Sequence, residues 1–284
     1  MSARTATVFT HRRPHALGEA LATLRDRARE AGVTLRFDPE ETRKHGLQAQ
    51  EGIVVDAELD PGAQVCVVLG GDGTILHALR AYAGTGVPVF AINYGDVGFL
   101  ATAEPDAMDD ALRRAFSGDF EPMALPAIVV RSSEREWKAI NDVSFHRQAG
   151  LRVADLSYAI GPDEVGRVRC DGLVIATPAG STGYNLANGG PVMAWGVEGF
   201  VVSFIAPHSL TARTLVVAPG DAITVRNGSA EEPADVTVDG RPTCELAPGE
   251  ALEARFLDAQ TVLARMPGST FYHRLRETFG RLAF

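Results

Sequence analysis

Cysteine is scarce in this sequence, and the three cysteines lie far apart. Cys66, Cys170 and Cys244 show none of the C-x-x-C spacing that is typical of zinc sites. An odd and sparse set is also a poor framework for disulfides, which are typical of small secreted domains. The cysteine content therefore argues against a zinc site or a disulfide scaffold and favours a reducing compartment.

The chain also lacks excess positive charge and long apolar runs. Its formal net charge is −9 at pH 7, whereas proteins that bind nucleic acids or anionic membranes need basic surface. No apolar run reaches the ~18 residues of a membrane span, and the N-terminal stretch MSARTATVFTHRRPH has no apolar signal core. We therefore expect a cytoplasmic protein with no nucleic-acid or membrane partner, although a local basic site for one small anion is compatible with this charge.

The first third of the chain alternates strand-like and helix-like patterns. The predicted strands are TATVFT (Thr5–Thr10), VTLRF, QVCVVLG (Gln64–Gly70) and VPVFAIN. The predicted helices are the one whose face carries Leu17, Leu21, Leu24 and Ala28, the one that carries Ile75, Leu79 and Tyr82, and EPDAMDDALRRAF. Because such alternation is typical of a parallel sheet, residues 1–120 are predicted to form an α/β domain.

From residue 121 to 266 the pattern changes to short strands that are separated by turns. The predicted strands are AIVVRS, WKAINDVSFHR, LSYAI, LVIAT, FVVSFIA, AITVRN, ADVTVDG and LEARFL. We therefore predict a β-rich, mostly antiparallel second domain over 121–266. The last segment, 267–284, returns to helical spacing with Leu275, Phe279 and Leu282 on one face, and we predict that this final helix packs back on the first domain and completes it.

The stretch GGDGT (Gly70–Thr74) joins a predicted buried strand to a predicted helix. A glycine turn at a helix start presents backbone N–H groups and the positive end of the helix dipole, which suits phosphate. The stretch is neither a Walker A loop nor a G-x-G-x-x-G motif. We interpret Gly70, Gly71, Gly73 and Thr74 as phosphate-binding residues; the alternative is a glycine-rich turn in which Asp72 caps the helix.

Two further polar clusters occur in the β-rich part of the chain. RCDGLVIATPAGSTGYNLANGGP (Arg169–Pro191) runs from a strand into a turn of small and hydroxyl side chains, where Tyr184 offers a ring for stacking. IND (Ile140–Asp142) places an amide beside a carboxylate at a strand end, which suits an adenine edge and ribose hydroxyls. Taken alone, the first cluster is equally compatible with a tight strand-to-helix connection, and an ordinary turn is the simpler interpretation of the second.

Two other motifs carry weaker signals. INYGDVGFL (Ile92–Leu100) is another glycine turn after a strand, in which Phe99 is predicted to belong to the core. APHSLTAR (Ala206–Arg213) contains His208, and we favour a structural role for this single histidine.

In this order and approximate spacing, GGDGT, GFL, ND, DGLVIATPAGSTGYNLANGGP, APHSLTARTLVV and VDGR resemble the NAD kinase family, from about Val65 to the C-terminus. GGDGT alone also occurs in lipid kinases, whereas the TPxGSTxY stretch is much more specific. The resemblance implies an α/β, Rossmann-like N-terminal domain with a parallel sheet and a β-rich C-terminal domain, with NAD bound between them. It implies transfer of the γ-phosphoryl group of ATP to the 2′-hydroxyl of the adenosine ribose of NAD, which makes NADP.

The resemblance also implies roles for individual residues. Asp72 matches the aspartate that takes the hydroxyl proton, and we interpret it as the catalytic base and as an anchor for the Mg²⁺-nucleotide. Mg²⁺ or another divalent cation is expected to accompany ATP, held mostly by waters and phosphate oxygens, and no residue is assigned as a metal ligand. The positions that match substrate-binding residues are Asp72, Gly73, His77, Asn141, Asp142, Arg152, Arg169, Asp171, Ala179, Thr182, Gly183, Tyr184, Asn185, Leu186, Ala187, Ala206 and Arg241. Because the family forms dimers and tetramers, a homo-oligomer is expected.

Five positions differ from the common pattern of the family. Asp142 stands where glutamate is usual, Tyr94 where arginine is frequent, Ala179 where threonine or serine occurs, Gly183 where alanine occurs, and Arg241 where glutamine is common. None of these differences removes a catalytic group. The sequence leaves open the choice of NAD or NADH and that of ATP or polyphosphate.

Two other functions also remain open at this point. A lipid kinase of the diacylglycerol or sphingosine type shares GGDGT, but it requires an apolar cleft or a basic membrane-facing patch where this sequence has polar turns. A dinucleotide-binding protein without catalytic activity is the second alternative. An assay for NADP formation separates both from a NAD kinase.

Overall fold

The structure, a computed structural model, describes residues 4–12, 17–95, 98–132 and 134–280. The strands are β1 (Arg4–Thr10), β2 (Val33–Arg36), β3 (Ile53–Val54), β4 (Val65–Gly70), β5 (Pro88–Asn93), β6 (Glu121–Arg131), β7 (Glu136–Ala139), β8 (Asp142–Arg147), β9 (Ala154–Ile160), β10 (Asp163–Cys170), β11 (Gly172–Ala176), β12 (Phe200–Ile205), β13 (Leu215–Val217), β14 (Ala222–Asn227), β15 (Ala234–Val238), β16 (Arg241–Leu246) and β17 (Ala251–Arg265). The helices are α1 (Gly18–Ala31), α2 (Pro39–His45), α3 (Asp72–Ala81), α4 (Met108–Ser117), α5 (Tyr184–Ala187) and α6 (Phe271–Gly280).

The chain divides into two units, one formed by Met1–Ala124 with Gln260–Phe284 and the other by Leu125–Ala259. The sequence-based division is at 120 and 267. Both structural boundaries fall inside long strands, because β6 begins at Glu121 and β17 continues to Arg265 without a break.

The first unit contains a parallel sheet in the order β3-β2-β1-β4-β5-β17. Neighbouring strands pair in parallel register, for example Val8 with Val67 and Val67 with Phe90. The last part of β17 flanks β5, where Val262 pairs with Pro88. β4 is buried along its whole length, as is typical of a strand that is covered on both faces. The prediction of an α/β first domain with a parallel sheet is confirmed.

The helices of this unit bury the apolar faces that the sequence predicts. α1 buries Leu21, Leu24 and Ala28, and α3 buries Ile75 and Leu79. The side chains of α1 and α4 share one core with those of the central strands. In the described ranges, no helix is long and apolar enough to cross a membrane.

α6 packs on the first unit as predicted, but its buried face differs from the predicted one. The predicted face contained Leu275, Phe279 and Leu282, of which Leu282 lies outside the described residues. The residues that α6 buries are Phe271 and Thr278, which lie two turns apart on one face. Phe279 is only half-buried, and its ring lies 5.6 Å from that of Phe99. Phe99 is itself buried, so its prediction as a core residue is confirmed.

The second unit contains antiparallel strands in two sheets. One sheet has the order β13-β12-β11-β8-β15-β16, and the other contains β10-β9-β14-β17 together with β6 and β7. The two sheets share one apolar core, which includes Phe145 and Phe200 from the first and Leu156 and Val225 from the second. The predicted β-rich second domain is confirmed. The sequence pattern does not predict β10, β13 and β16.

The stretch WKAINDVSFHR forms two strands, β7 and β8, where the sequence predicts one. The carboxylate of Asp239 accepts the backbone N–H groups of Ile140, Asn141 and Asp142 between them, at 3.1, 2.7 and 3.2 Å. Backbone N–H groups that bond a side chain are not available to a neighbouring strand. The prediction of a continuous strand is therefore wrong, and the break places Asn141 and Asp142 at the start of β8.

Candidate active site

The glycine turn GGDGT lies between the end of β4 and the first turn of α3. Gly71 is the N-cap residue, and the backbone N–H groups of Thr74 and Ile75 both donate to its carbonyl. The N–H groups of Asp72 and Gly73 have no partner among the described residues, as is usual at a helix start. The turn therefore offers two backbone donors and the positive end of a helix dipole to an anion.

The Asp72 side chain does not cap α3, so the structure does not have the helix cap that was the alternative interpretation of this residue. Its carboxylate instead accepts the backbone N–H groups of Phe99, at 2.9 Å, and of Leu100, at 3.2 Å. The carboxylate also lies directly against Gly98, where a Cβ atom would stand 2.2 Å from Oδ1. Only glycine permits this approach, so the GFL turn forms a close-fitting seat for the carboxylate.

The environment of Asp72 contains opposing influences on its charge. Burial raises the pKa of the Asp72 carboxyl, the N–H bonds from Phe99 and Leu100 and the positive charge of Arg274 lower it, and the net effect is a rise. A carboxylate with a raised pKa is a stronger proton acceptor than an exposed one. This combination of burial and fixed N–H donors is typical of functional carboxylates.

The other predicted residues of the first unit lie along α3. Thr74 packs against Gly70, where a Cβ atom would meet its side chain at 2.7 Å. His77 lies one turn further on, and its ring packs edge to face on Phe9 at 5.0 Å. The structure therefore brings Gly70, Gly71, Asp72, Gly73 and Thr74 together, with His77 on the next turn of the helix.

In the second unit, Asp239 holds the strand end that carries Asn141 and Asp142. Besides accepting three backbone N–H groups, Asp239 donates its own N–H to the carbonyl of Asp142 at 2.8 Å. Asp239 has a φ of +48°, which is uncommon for a residue with a side chain. The four hydrogen bonds fix the backbone of the Asn141–Asp142 pair.

Asp142 is buried in an unfavourable environment for a negative charge. Burial, followed by the negative charge of Asp239, raises the pKa of Asp142 to about 7. Its carboxylate accepts no hydrogen bond from another described residue, in contrast to that of Asp239. The Asp142 carboxyl group therefore titrates close to neutral pH.

The loop after β11 is joined to the same strand end by Thr177. The Thr177 hydroxyl donates to the carbonyl of Ile140 at 2.7 Å and accepts the N–H of Gly180 at 3.1 Å. The Thr177 N–H donates to the carbonyl of Asn141 at 2.8 Å. A Cβ atom on Gly180 would stand 2.1 Å from that carbonyl oxygen, so glycine is required there. The TPAGSTGY and IND segments thus form one polar cluster.

Tyr184 presents an aromatic ring at this cluster. Its ring stacks on that of His146, with centroids 5.7 Å apart and an interplanar angle of 21°. Burial and the negative charges of Asp142 and Asp171 raise the pKa of the Tyr184 hydroxyl. Asp171 is paired with Arg147 at 2.8 Å.

The remaining predicted residues fall into two groups. Asn185 and Ala179 are buried, and the Asn185 amide donates to the carbonyls of Ser181 and Pro191, so its side chain holds the loop together. The residues that are exposed or half-buried on the surface of this unit are Arg152, Arg169, Thr182, Gly183, Leu186, Ala187, Ala206 and Arg241. The structure places Ala206 next to Ile205, whose carbonyl accepts the N–H of Asp171.

Sequence reasoning missed several residues that shape these clusters. Asp239 lies in the VDGR motif and Thr177 in TPAGSTGY, so both were within motifs that the analysis identified. His146 lies on a predicted strand with no feature that distinguishes it. Arg274 lies in the final helix, far from every motif, and the sequence contains no signal that connects it with Asp72.

Comparison with known proteins agrees with the architecture of both units. The profile of the ATP-NAD kinase N-terminal domain matches residues 16–120, and that of the ATP-NAD kinase C-terminal domain matches residues 140–264. A NAD kinase of Gemmatimonas aurantiaca is 35% identical over 96% of this chain and 94% of its own length. NAD kinase 2 of Streptomyces coelicolor is 32% identical over 97% of this chain and 94% of its own.

Two solved structures share the fold. A yeast NADH kinase complexed with NADH superposes with a TM-score of 0.86 at 20% identity, over 99% of this chain and 89% of its own. A NAD kinase from Archaeoglobus fulgidus in complex with ATP superposes with a TM-score of 0.74 at 24% identity, over 98% of both chains. The sequence relatives extend over nearly the whole chain and carry the assignment beyond fold: this chain belongs to the ATP-NAD kinase family.

Proposed function

We propose that this protein transfers the γ-phosphoryl group of ATP to the 2′-hydroxyl of the adenosine ribose of NAD and so makes NADP. Family membership supports the reaction class. The observation that carries the proposal is the Asp72 carboxylate, which lies half-buried at a helix start beside unpartnered backbone donors and is held by the N–H groups of Phe99 and Leu100. Phosphoryl transfer depends mainly on positioning and on neutralised charge, and this arrangement supplies both.

The first unit binds the donor and supplies the base. The backbone N–H groups at the start of α3, from Gly71 to Gly73, receive phosphate oxygens. Asp72 accepts the proton of the attacking hydroxyl. Its two N–H bonds leave each carboxylate oxygen a second lone pair for that contact, while they fix the orientation of the carboxylate. A positioned carboxylate of this kind contributes about 10²–10⁴ in rate.

The second unit binds the adenosine half of NAD. Tyr184 provides a stacking face, and its ring is supported from one side by His146. Asn141 reads the adenine edge, and Asp142 holds ribose hydroxyls beside the one that reacts. The residues that line this pocket are proposed to include Arg152, Arg169, Asp171, Ala179, Thr182, Gly183, Leu186, Ala187, Ala206 and Arg241, with the backbone rather than the side chain of Asn185.

The donor set fits a divalent cation that arrives with the nucleotide. Among the described residues, no group of three or more His, Cys, Asp or Glu side chains could hold a metal ion. Phosphate oxygens and waters are therefore proposed to provide most of the ligands for Mg²⁺. When bound, the cation neutralises negative charge on the phosphates of ATP.

We also propose a homo-oligomer, a dimer or a tetramer, in the cytoplasm. The three free cysteines support a reducing compartment. Light scattering on the eluting peak of a size-exclusion column measures the mass, which a monomer would place at 30.2 kDa.

The decisive experiment is a matrix of substrates with the purified protein. NAD and NADH are each incubated with ATP or polyphosphate, with and without a chelator, and NADP(H) is measured with an NADP-specific dehydrogenase. Formation of NADP from NAD that requires the divalent cation is the expected result. Binding of NAD without phosphorylation by either donor would favour the dinucleotide-binding alternative, and phosphorylation of diacylglycerol but not NAD would favour the lipid kinase.

A further inference from the structure

The C-terminal helix α6 lies outside both family matches, which cover residues 16–120 and 140–264. Within the first unit it contacts the segment 98–104 at two points. Arg274 is paired with Glu104 at 3.2 Å and donates to the carbonyl of Ala101. The ring of Phe279 lies 5.6 Å from that of Phe99. α6 therefore holds this segment through the half-buried ring of Phe279 and the guanidinium group of Arg274.

The same segment holds the Asp72 carboxylate. Two consecutive N–H groups, those of Phe99 and Leu100, donate to its two oxygens, and Gly98 lies directly against it. Because these contacts come from backbone atoms, a shift of the segment shifts the donors with it. The contact between Arg274 and the carbonyl of Ala101 lies one residue beyond the second donor.

Arg274 also acts on Asp72 through its charge. Its side chain is only 12% exposed, so water screens the guanidinium weakly. The positive charge lowers the pKa of Asp72 against the rise caused by burial. Glu104 faces Arg274 from the held segment and also accepts the amide of Asn93 at 3.2 Å, so the cation is partly neutralised.

We propose that Arg274 is a positioning residue for Asp72: it fixes the 98–104 segment, whose N–H groups orient the carboxylate, and it places a positive charge near that carboxylate. The inference rests on the proposed function, in which ionised Asp72 receives the proton of the ribose hydroxyl. Among the described residues, the charged groups that contact this arrangement are Arg274 from α6 and Glu104 from the held segment. Arg274 both donates to the backbone carbonyl of Ala101 and lowers the pKa of Asp72 through its positive charge.

The test is the pH dependence of kcat at saturating NAD and ATP, between pH 5.5 and 9. In Arg274→Met, which removes the charge and keeps much of the bulk, the acidic limb should move to higher pH. Arg274→Lys should leave the limb near its wild-type position because it keeps the charge. Arg276→Met, in the same helix but exposed, is the matched control and should leave the profile unchanged.

A variant of Glu104, the residue paired with Arg274, tests the same charge effect in the opposite direction. Glu104→Gln keeps a hydrogen-bonding oxygen but removes the negative charge that neutralises Arg274, so the acidic limb should move to lower pH. This variant keeps the proposal testable if Arg274→Met does not fold.

The outcomes separate the inference from the function on which it rests. A wild-type protein that makes no NADP contradicts the proposed function. An active wild type whose acidic limb is the same in folded Arg274→Met and in Glu104→Gln overturns the inference alone. A loss of kcat in Arg274→Met that is equal at every pH also overturns it, because that result reports packing without a charge effect on Asp72.

Discussion

Asp72 in the first unit is half-buried and Asp142 in the second is buried, and the neighbours of the two carboxyl groups are opposite in character. Burial raises the pKa of each. Around Asp72, two backbone N–H groups and the positive charge of Arg274 oppose that rise. Around Asp142, the negative charge of Asp239 adds to it, and the pKa reaches about 7. The neighbours of the two carboxyl groups, and not burial alone, thus determine how readily each one carries a charge.

The difference fits the two roles that we propose. A general base must be available in its ionised form and in a fixed orientation, and fixed N–H donors provide both for Asp72. A residue that holds ribose hydroxyls needs hydrogen-bonding capacity more than basicity, and either protonation state of Asp142 provides it. The arrangement around each carboxyl group therefore matters more than its burial.

The largest expected effect is that of Asp72→Asn. This variant should lower kcat by about 10²–10⁴, the scale for loss of a general base, while NAD binding is largely retained. Because the amide NH₂ must face one of the N–H groups of Phe99 and Leu100, a modest fall in melting temperature is also expected. Steady-state kinetics, equilibrium binding of NAD and thermal melts measure the three quantities.

A second variant tests whether catalysis requires the exact position of the Asp72 carboxylate and not only its presence. Gly98→Ala keeps Asp72 but places a Cβ atom 2.2 Å from the present position of Oδ1. The carboxylate must therefore move, and kcat should fall although the base is still present. Near wild-type turnover in Asp72→Asn would show that Asp72 is only a structural acceptor for the GFL turn, and the proposed mechanism would be wrong.

The next largest effect concerns Asp142. A hydrogen bond to a charged group contributes roughly 1.5–3 kcal/mol, so Asp142→Ala should lower kcat/KM for NAD about 10- to 150-fold. The KM for ATP should barely change, because we assign the donor to the first unit. Asp142→Glu, which restores the commoner residue of the family, is the matched variant and should retain activity.

The contrast between the two carboxyl groups requires that Asp142→Ala lower kcat/KM for NAD and leave the KM for ATP unchanged. An Asp142→Ala variant that changes only the ATP parameter, or neither parameter, would remove the Asn141–Asp142 pair from the nucleoside site. The strand end held by Asp239 would then be an ordinary turn.

A smaller effect is expected on stability, and it depends on pH. With a pKa near 7 in the folded state and an ordinary value of 3.8, Asp142 keeps its proton in the folded chain between these pH values while the unfolded chain has lost it. The folded state binds more protons there, so Asp142 makes stability fall as pH rises from about 4 to 7. Asp142→Asn removes this penalty.

Thermal melts of the protein without substrates should show this directly. The melting temperature of Asp142→Asn relative to wild type should be higher at pH 8 than at pH 4.5. A difference that is the same at both pH values would mean that Asp142 does not titrate in this range and that its contrast with Asp72 is smaller than the structure indicates.

The sequence predicts the local elements of the first unit better than its connections. The spacing of Leu21, Leu24 and Ala28 leads directly to α1, because a helix packed on a sheet must bury one face. α2 was not predicted, although Asp38 caps it and Pro39 begins it, because its seven residues contain too few apolar positions to show a period. Its existence depends on capping rather than on a hydrophobic stripe.

The site shows the limit of sequence reasoning more clearly. The motifs identify which residues cluster, since GGDGT and TPAGSTGY each fold as one local unit. They do not reveal the supports, because Asp239 and Arg274 act from far along the chain through single side chains. Such contacts leave no periodic pattern, and so the break between β7 and β8 and the role proposed for α6 could be recognised only in three dimensions.

The smallest effect on activity is expected from replacing the cysteines, which serve as a control because they occur in both units. Cys66 lies in β4 of the first unit and Cys170 in β10 of the second, and both are fully buried, whereas Cys244 is half-buried. Burial raises the pKa of all three, that of Cys170 to about 12, so none is a reactive thiolate at neutral pH.

A triple variant in which all three cysteines become alanine should therefore keep kcat and both KM values. It should lose only about 1 kcal/mol or somewhat more of stability, because small cavities form where the two buried sulfur atoms were. Kinetics and denaturant unfolding of the same preparation measure both. Loss of turnover in a triple variant that unfolds cooperatively would show that a thiol contributes to the reaction, and that the two carboxyl groups are not sufficient to describe the chemistry of the two units.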